Sequence, residues 1–303
     1  MNPPVGVPPK VLVTGAGGFV GTALVARIPS CRRLSMADPR WREAVAAADF
    51  RDATVVHLAA RVHEPDGLAA DFEHDNVEKT RVLAEAAAAG GAARFVFAST
   101  LKVHGEETGQ APFGPDSPPA PSGPYANSKW RAEEALREIA SRTGLPVVIV
   151  RIPLTYGPGV GGNFRALLRL ADSGTWLPFA AIANRRSLVH VSDLADALLL
   201  AAGHPDAPGH AFIAAHPVPV STPGLVGAIR RALGRPSRLF PIPPFALEAI
   251  GAAAGLGARM RRLTRSLEAD PATLVATLGW KPRLALAEGL EDTVDAWREG
   301  GSQ

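Results

Sequence analysis

The sequence predicts an α/β fold, doubly wound around a parallel sheet. Two observations carry that expectation. Short, continuously apolar runs rich in Val alternate with Ala-rich helical stretches through the first half of the chain. Strands read this way when helices cover both faces of a parallel sheet. In addition, a glycine-rich turn joins the first such run to the first helical stretch.

Taken in order, residues 10–14 (KVLVT) form a buried strand pattern and residues 21–28 a helix. Residues 31–36 (CRRLSM) are a weak strand, followed by a helix over 39–48. Residues 54–58 (TVVHL) are a strand, 76–89 a helix, 94–98 (RFVFA) a strand, 125–141 a helix and 146–151 (PVVIVR) a strand. The second half is less regular. It holds a glycine-rich loop at 157–163, a strand at 187–191, and a helix at 194–202 that Ser192 or Asp193 is placed to cap. A helix at 224–233 follows, within a smaller, mainly helical lobe over the carboxyl edge of the sheet. Residues 106–123 form a long Pro-rich loop, and loops of that length are usually functional or mobile.

The formal charge of +3 is scattered apart from short runs such as Arg185-Arg186 and 259–262, so no nucleic-acid partner is expected. Cys31 is the only cysteine, which rules out an intrachain disulfide and suits a reducing, cytoplasmic location. Residues 1–10 show no apolar signal segment. The apolar stretch 245–258 holds Glu248 and is too short to span a bilayer. It reads as a packed helix, with membrane contact kept open by the basic run after it. The eight histidines show no ligand spacing with carboxylates, so no metal is expected.

Residues 14–21 read TGAGGFVG, with Gly15, Gly18 and Gly21 directly after a strand and opening a helix. Such glycines allow a tight turn, close approach to a pyrophosphate and close helix–sheet packing. The phosphates then face the unpaired N–H groups of the helix N-terminus, so the motif predicts dinucleotide binding. Further on, PYANSKW (124–130) puts Tyr125 and Lys129 on one helical face, with Pro124 as a fair helix start. A phenol titrates near 10 and is a poor base at neutral pH. A neighbouring ammonium favours its ionised form, which makes the pair a candidate proton-transfer device.

The set TGAGGFVG, HLAA (57–60), AST (98–100), YANSK (125–129) and RIPLTYGPG (151–159) resembles the extended short-chain dehydrogenase/reductases. Within them the chain is similar to the NAD-dependent epimerase/dehydratase branch acting on nucleotide sugars. RRSLVHVSDLADAL (185–198) and LGWKP (278–282) extend the likeness toward the C-terminus. The resemblance implies a Rossmann-like NAD(P)-binding domain over 1–158, to which 185–215 return, and a substrate lobe over 159–184 and 216–303. It implies Tyr125 as acid/base, Lys129 bonding the nicotinamide ribose and lowering the Tyr125 pKa, and Thr100 beside the reacting sugar oxygen. Gly15, Gly18, Phe19, Val20, Gly21, Leu58, Ala59, Ala60, Asn76, Ala98, Ser99, Ile152 and Pro153 would line the cofactor. Arg186 would clamp the substrate diphosphate, with Asn163 and Phe164 nearby. His57 is expected to be a packed hydrogen-bonding residue, and His63 and His104 are expected at the surface. A homodimer through the Tyr125 helix is usual for the family.

The chain departs from the family pattern twice. Only residues 16–56 separate Gly15 from His57, so an edge strand and helix are shortened or absent. Asp38 lies about twenty residues past Gly15, where an acidic residue reads the ribose of NAD, but Arg32 and Arg33 lie close enough to suit NADP. Second, Thr100 is followed by Leu101 and Lys102 instead of the carboxylate pair of the dehydratases. The leading expectation is therefore a 4-epimerase of a UDP-hexose or UDP-N-acetylhexosamine. The alternative is a UDP-4-keto-6-deoxyhexose or -hexosamine 4-reductase of surface-polysaccharide biosynthesis. A third, non-enzymatic reading is a cofactor-sensing protein, against which the intact Tyr125, Lys129 and Thr100 stand.

Overall fold

A computed structural model describes residues 6–62 and 68–300. Its elements in chain order are β1 (Val11–Thr14), α1 (Phe19–Arg27), β2 (Arg32–Leu34), α2 (Trp41–Ala46) and β3 (Thr54–His57). Next come α3 (Ala69–Phe72), a π-helical stretch Glu73–Glu78, α4 (Lys79–Ala89), β4 (Arg94–Thr100) and a 3₁₀ turn Leu101–His104. There follow α5 (Gly123–Thr143), β5 (Val147–Ile152), β6 (Leu154–Tyr156), α6 (Gly162–Asp172), β7 (Leu188–His190), α7 (Val191–Gly203) and β8 (Ala211–Ile213). The C-terminal part adds α8 (Thr222–Ala232), α9 (Pro244–Ala253), α10 (Gly257–Thr264), α11 (Ala272–Leu278) and α12 (Leu286–Gly300).

Six parallel strands run in the order β2-β1-β3-β4-β5-β8. The three-residue β2 is the sheet edge beyond β1, and α2 carries the chain from it directly to β3. The missing edge strand and helix expected from the short Gly15–His57 interval are thus truly absent.

Alternate residues of each strand serve two cores. Val11, Val13, Val56, Val96, Val148 and Val150 pack under α1 and α7. Leu12, Val55, Phe95, Phe97, Val147 and Ile149 pack under α2, α4 and α5. Both faces are dry, which is why the strands read as unbroken apolar runs. Burial at roughly 25 cal/mol per Å² of apolar surface is the main force holding these layers.

Several expectations need correction. The helix over 76–89 begins seven residues earlier, at Ala69, and passes through the π stretch. The loop at 157–163 is cut short by α6, whose first turn contains Asn163. Strand β8 was not visible in the sequence. The cap of α7 is neither Ser192 nor Asp193: the His190 side chain accepts from Ser192 N–H, and Asp193 accepts from Arg283 N–H instead. The stretch 245–258 is not one packed helix. It breaks at Gly255, at φ +71°, between α9 and α10.

Candidate active site

The carboxyl ends of β1, β3, β4 and β5 lie side by side, with Thr14 opposite His57, His57 opposite Phe97, and Thr100 opposite Ile152. Ligands of open parallel sheets bind at this edge. The glycine turn sits there. Gly15 adopts φ +68°, and a Cβ on it would lie 2.6 Å from Ala59 N, so Leu58 and Ala59 press directly on the turn. A Cβ on Gly21 would lie 2.0 Å from Gly15 O, which sets how closely α1 approaches the loop. Gly17 and Gly18, by contrast, are exposed, and a Cβ on Gly17 would meet open space. The first turn of α1, with Phe19 and Val20, has no side-chain cap and no acidic residue. A tight turn backed by β3, with an open, uncapped amide end, fits a pyrophosphate.

Below the turn, a buried chain of hydrogen bonds fixes β1, β3 and α4. Ala59 N–H donates to Thr14 Oγ1, 3.3 Å away, and Thr14 Oγ1 lies 2.6 Å from His57 Nδ1. His57 Nε2 lies 2.9 Å from Thr80 Oγ1, which donates to Asn76 O at 2.7 Å. Thr80 therefore accepts from His57 Nε2–H, and Thr14 donates to Nδ1, leaving a neutral ring. Burial pushes the His57 pKa down to about 3, with Lys129 adding to the effect. His57 is packed and hydrogen-bonded, as expected. Asn76 is likewise saturated: it accepts from Arg61 N–H (2.8 Å) and donates to Arg61 O and Ser128 Oγ. Its amide ties the segment after β3 to the Tyr125 helix.

Helix α5 carries Tyr125, Lys129 and Glu133 on one stripe at intervals of four. Burial pushes Tyr125 up to about 12, opposed by its contact with the Thr100 hydroxyl. Lys129 is only 2% exposed, and burial pulls it down to about 7 against the pull of Glu133. Its Nζ lies 3.8 Å over the Phe97 ring and has no hydrogen-bond partner among the described residues. In this structure Lys129 does not lower the Tyr125 pKa; burial moves each group toward its neutral form. An unpartnered ammonium at this depth fits a ligand that brings hydroxyl acceptors, such as a ribose.

Glu133 is fully buried and binds Arg151 through both oxygens, Oε2–Nη2 at 2.7 Å and Oε1–Nε at 3.1 Å. Ser99 Oγ donates to Oε1 at 2.5 Å, so the Ser99 hydroxyl is engaged away from the open edge. Arg151 Nη1 donates to His104 Nε2 at 2.9 Å and to Pro115 O at 2.5 Å. His104 is therefore buried, not at the surface, because it joins this network. His63 lies outside the described residues. Sequence reading missed the Glu133–Arg151 pair. The repeat of Tyr125, Lys129 and Glu133 at intervals of four was its available signal.

Ala98 and Ile152 are half-buried near the carboxyl ends of adjacent strands, with buried Pro153 just beyond; Leu58, Ala59 and Ala60 are half-buried beside the turn. Asp38 sits exposed in the β2–α2 turn, where its Oδ1 accepts from Arg40 N–H at 2.8 Å. Arg32 leans away toward Asp49, 3.9 Å distant. Phe164 is a correction: its ring is buried and stacks on Tyr156 at 5.5 Å, so it is a core residue, while Asn163 is exposed. Arg186 is half-buried, donating to Arg265 O at 3.0 Å. Burial lowers its pKa, with Glu106 opposing and Arg262 reinforcing. Lys102 and Arg262 reach the same Glu106, at 2.8 and 3.9 Å. Three cations thus gather around one carboxylate, leaving net positive charge beside the Thr100 turn. Lys102 and Arg262 were not legible as members of this group. Among the described residues no cluster of His, Cys, Asp or Glu is close enough to hold a metal ion.

A glycine turn at the sheet edge, with Tyr125, Lys129 and Thr100 converging beside it, defines an extended short-chain dehydrogenase/reductase. The chain belongs to the NAD dependent epimerase/dehydratase family, whose model matches residues 11–215. It is 34% identical to a UDP-glucose 4-epimerase of Vibrio cholerae, over 98% of each chain. Its fold is similar to that of a dTDP-glucose 4,6-dehydratase from Streptomyces venezuelae solved with NAD and TYD (TM-score 0.78, 24% identity, 97% of this chain and 98% of that one). It is also similar to a UDP-glucose 4-epimerase of Thermotoga maritima solved with UDP-glucose (TM-score 0.76, 22% identity, 96% and 99%).

Proposed function

We propose that the protein is an NAD-dependent 4-epimerase of a UDP-hexose or UDP-N-acetylhexosamine. The observation that carries this reading is that Leu101 and Lys102 follow Thr100 at the two positions where a dehydratase carries its carboxylate pair. Leu101 is buried in the core and Lys102 is a cation, so neither position offers an acid to expel a neighbouring hydroxyl, and the nearby Glu106 is held in an ion pair with Lys102. The likeness to the Vibrio cholerae epimerase supports it.

The glycine turn and the first turn of α1 would hold the pyrophosphate of NAD, Asp38 its adenosine ribose and Lys129 its nicotinamide ribose. Bound NAD supplies a hydride acceptor that can return the hydride to either face of the sugar. Tyr125 takes the C4 hydroxyl proton and gives it back, while the Thr100 hydroxyl orients the oxygen. A phenol at about 12 does not ionise near neutrality, so the reading requires the positive charge of the oxidised cofactor, together with a protonated Lys129, to bring Tyr125 down once the cofactor is bound. Arg186, Lys102 and Arg262 anchor the diphosphate while the sugar turns over. A homodimer through α5 completes the reading, and light scattering tests it. Incubation with UDP-glucose or UDP-N-acetylglucosamine should yield the C4 epimer with no net consumption of cofactor. Steady oxidation of added NADH or NADPH by a UDP-4-keto-6-deoxyhexosamine, with no epimer formed, would overturn it in favour of a reductase.

A further inference from the structure

Helices α9 and α10 form a tight hairpin at the edge of the C-terminal part. Its inner side is conventional. Leu247, Met260 and Leu263 join one apolar cluster, and a Cβ on Gly251 would lie 2.8 Å from Met260 Cβ, so the helices touch. The outer side is not. Phe245 is 76% exposed, Ile250 61% and Leu256 43%. Between them the exposed positions of α9 are Ala249, Ala252 and Ala253, so this face carries no charge.

The basic residues of the hairpin all lie on α10 and just after it. The only acid of the hairpin, Glu248, is bound by Arg265 through both oxygens at 2.7 Å and by Thr264. Arg259 and Arg261 are exposed and have no ion-pair partner among the described residues. Arg261 also acts on Glu248 through its charge, which leaves the hairpin with more exposed positive charge than acid. An uncharged apolar face beside a helix of exposed arginines is the pattern of a hairpin that lies in the interface of an anionic bilayer. A second copy of the chain fits less well. A two-fold contact centred here would set Arg259 and Arg261 against their own copies.

We propose that the α9–α10 hairpin docks the protein on anionic phospholipid surfaces, with Phe245, Ile250 and Leu256 inserted and Arg259 and Arg261 at the headgroups. Arg262 of the same hairpin faces Glu106 at the cation cluster. Docking therefore brings that side of the active site toward the lipid. It is a binding property and stands whichever reaction the site performs.

The test is flotation of the intact protein with phosphatidylcholine vesicles, with and without phosphatidylglycerol. Binding should require phosphatidylglycerol and weaken as salt rises. Arg259→Glu/Arg261→Glu and Phe245→Ser/Ile250→Ser should each weaken partition by about tenfold or more. Arg51→Glu/Arg142→Glu changes net charge equally at the opposite, amino-terminal edge of the sheet and should retain binding. Phe245→Trp should retain it too, and all variants should keep wild-type turnover in solution and wild-type mass by light scattering. No binding to phosphatidylglycerol vesicles, or equal loss in the distant control, overturns the proposal. So does a drop from dimer to monomer in the Phe245/Ile250 variant, which would make the face a protein interface.

Discussion

Replacing Lys129 by Met should stabilise the protein while destroying its activity. The ammonium is buried over Phe97 with no hydrogen-bond partner among the described residues, and its pKa falls from 10.5 to about 7. A base whose folded-state pKa is depressed gives full stability above its unfolded pKa and loses it as pH falls toward the folded value. At neutral pH the unfolded chain holds the proton and the folded site holds it about half the time. At about 1.4 kcal/mol per pH unit, burial of this group costs on the order of 4 kcal/mol at neutral pH. Met is one atom shorter but unbranched and packs well against a ring, and it forfeits roughly 1–2 kcal/mol of cation–π attraction. The expected gain is about 2–3 kcal/mol at neutral pH, shrinking to about 1 kcal/mol by about pH 9.5. Urea denaturation of both proteins at the two pH values reads it directly. A less stable variant at neutral pH, or a gain that does not shrink with pH, would refute the claim that Lys129 is a strained, functional residue.

Other expectations follow from the same geometry. Glu133→Gln leaves Arg151 buried beside a neutral partner and should lower unfolding free energy by about 3–5 kcal/mol, as removal of one member of a buried pair does; a loss below about 1 kcal/mol in urea titration would mean the pair is solvated. Gly21→Ala places a methyl 2.0 Å from Gly15 O and should abolish retention of NAD on purification, measured as released nicotinamide; full retention would show the turn is not a pyrophosphate cradle. His57, depressed to about 3, gives its full stability above about pH 6.5 and loses it as pH falls toward 3. Wild type should therefore lose up to about 1.4 kcal/mol per pH unit from this residue below that point, and His57→Gln should flatten the slope in acid denaturation.

Much of the fold was legible because local signals and topology agreed. Both faces of the sheet are buried, so β1, β3, β4 and β5 each announce themselves as apolar runs. The short interval before His57 correctly reported a lost strand, since the chain has no room for a second crossover. Strand β8 escaped because its three residues, Ala211–Ile213, sit between Pro208 and His216, and only pairing with β5 makes them a strand. The site divides the same way. The glycine turn and the Tyr125–Lys129 spacing are local. The partners of Glu133 come from β4, β5 and α5 itself, and of the cations around Glu106 only Lys102 is local, Arg186 and Arg262 coming from distant segments, so neither group has a contiguous signature. Phe164, expected beside the substrate from the resemblance, turns its ring into the core against Tyr156, a direction that no local pattern encodes.

The central claim is that Tyr125 moves the C4 proton in an epimerase. The measurement is turnover of UDP-glucose and UDP-N-acetylglucosamine by wild type and Tyr125→Phe, with bound nicotinamide quantified in each. The account predicts C4 epimers from wild type, none above about a thousandth of that rate from the variant, and equal NAD in both. Comparable epimer formation by Tyr125→Phe would contradict it.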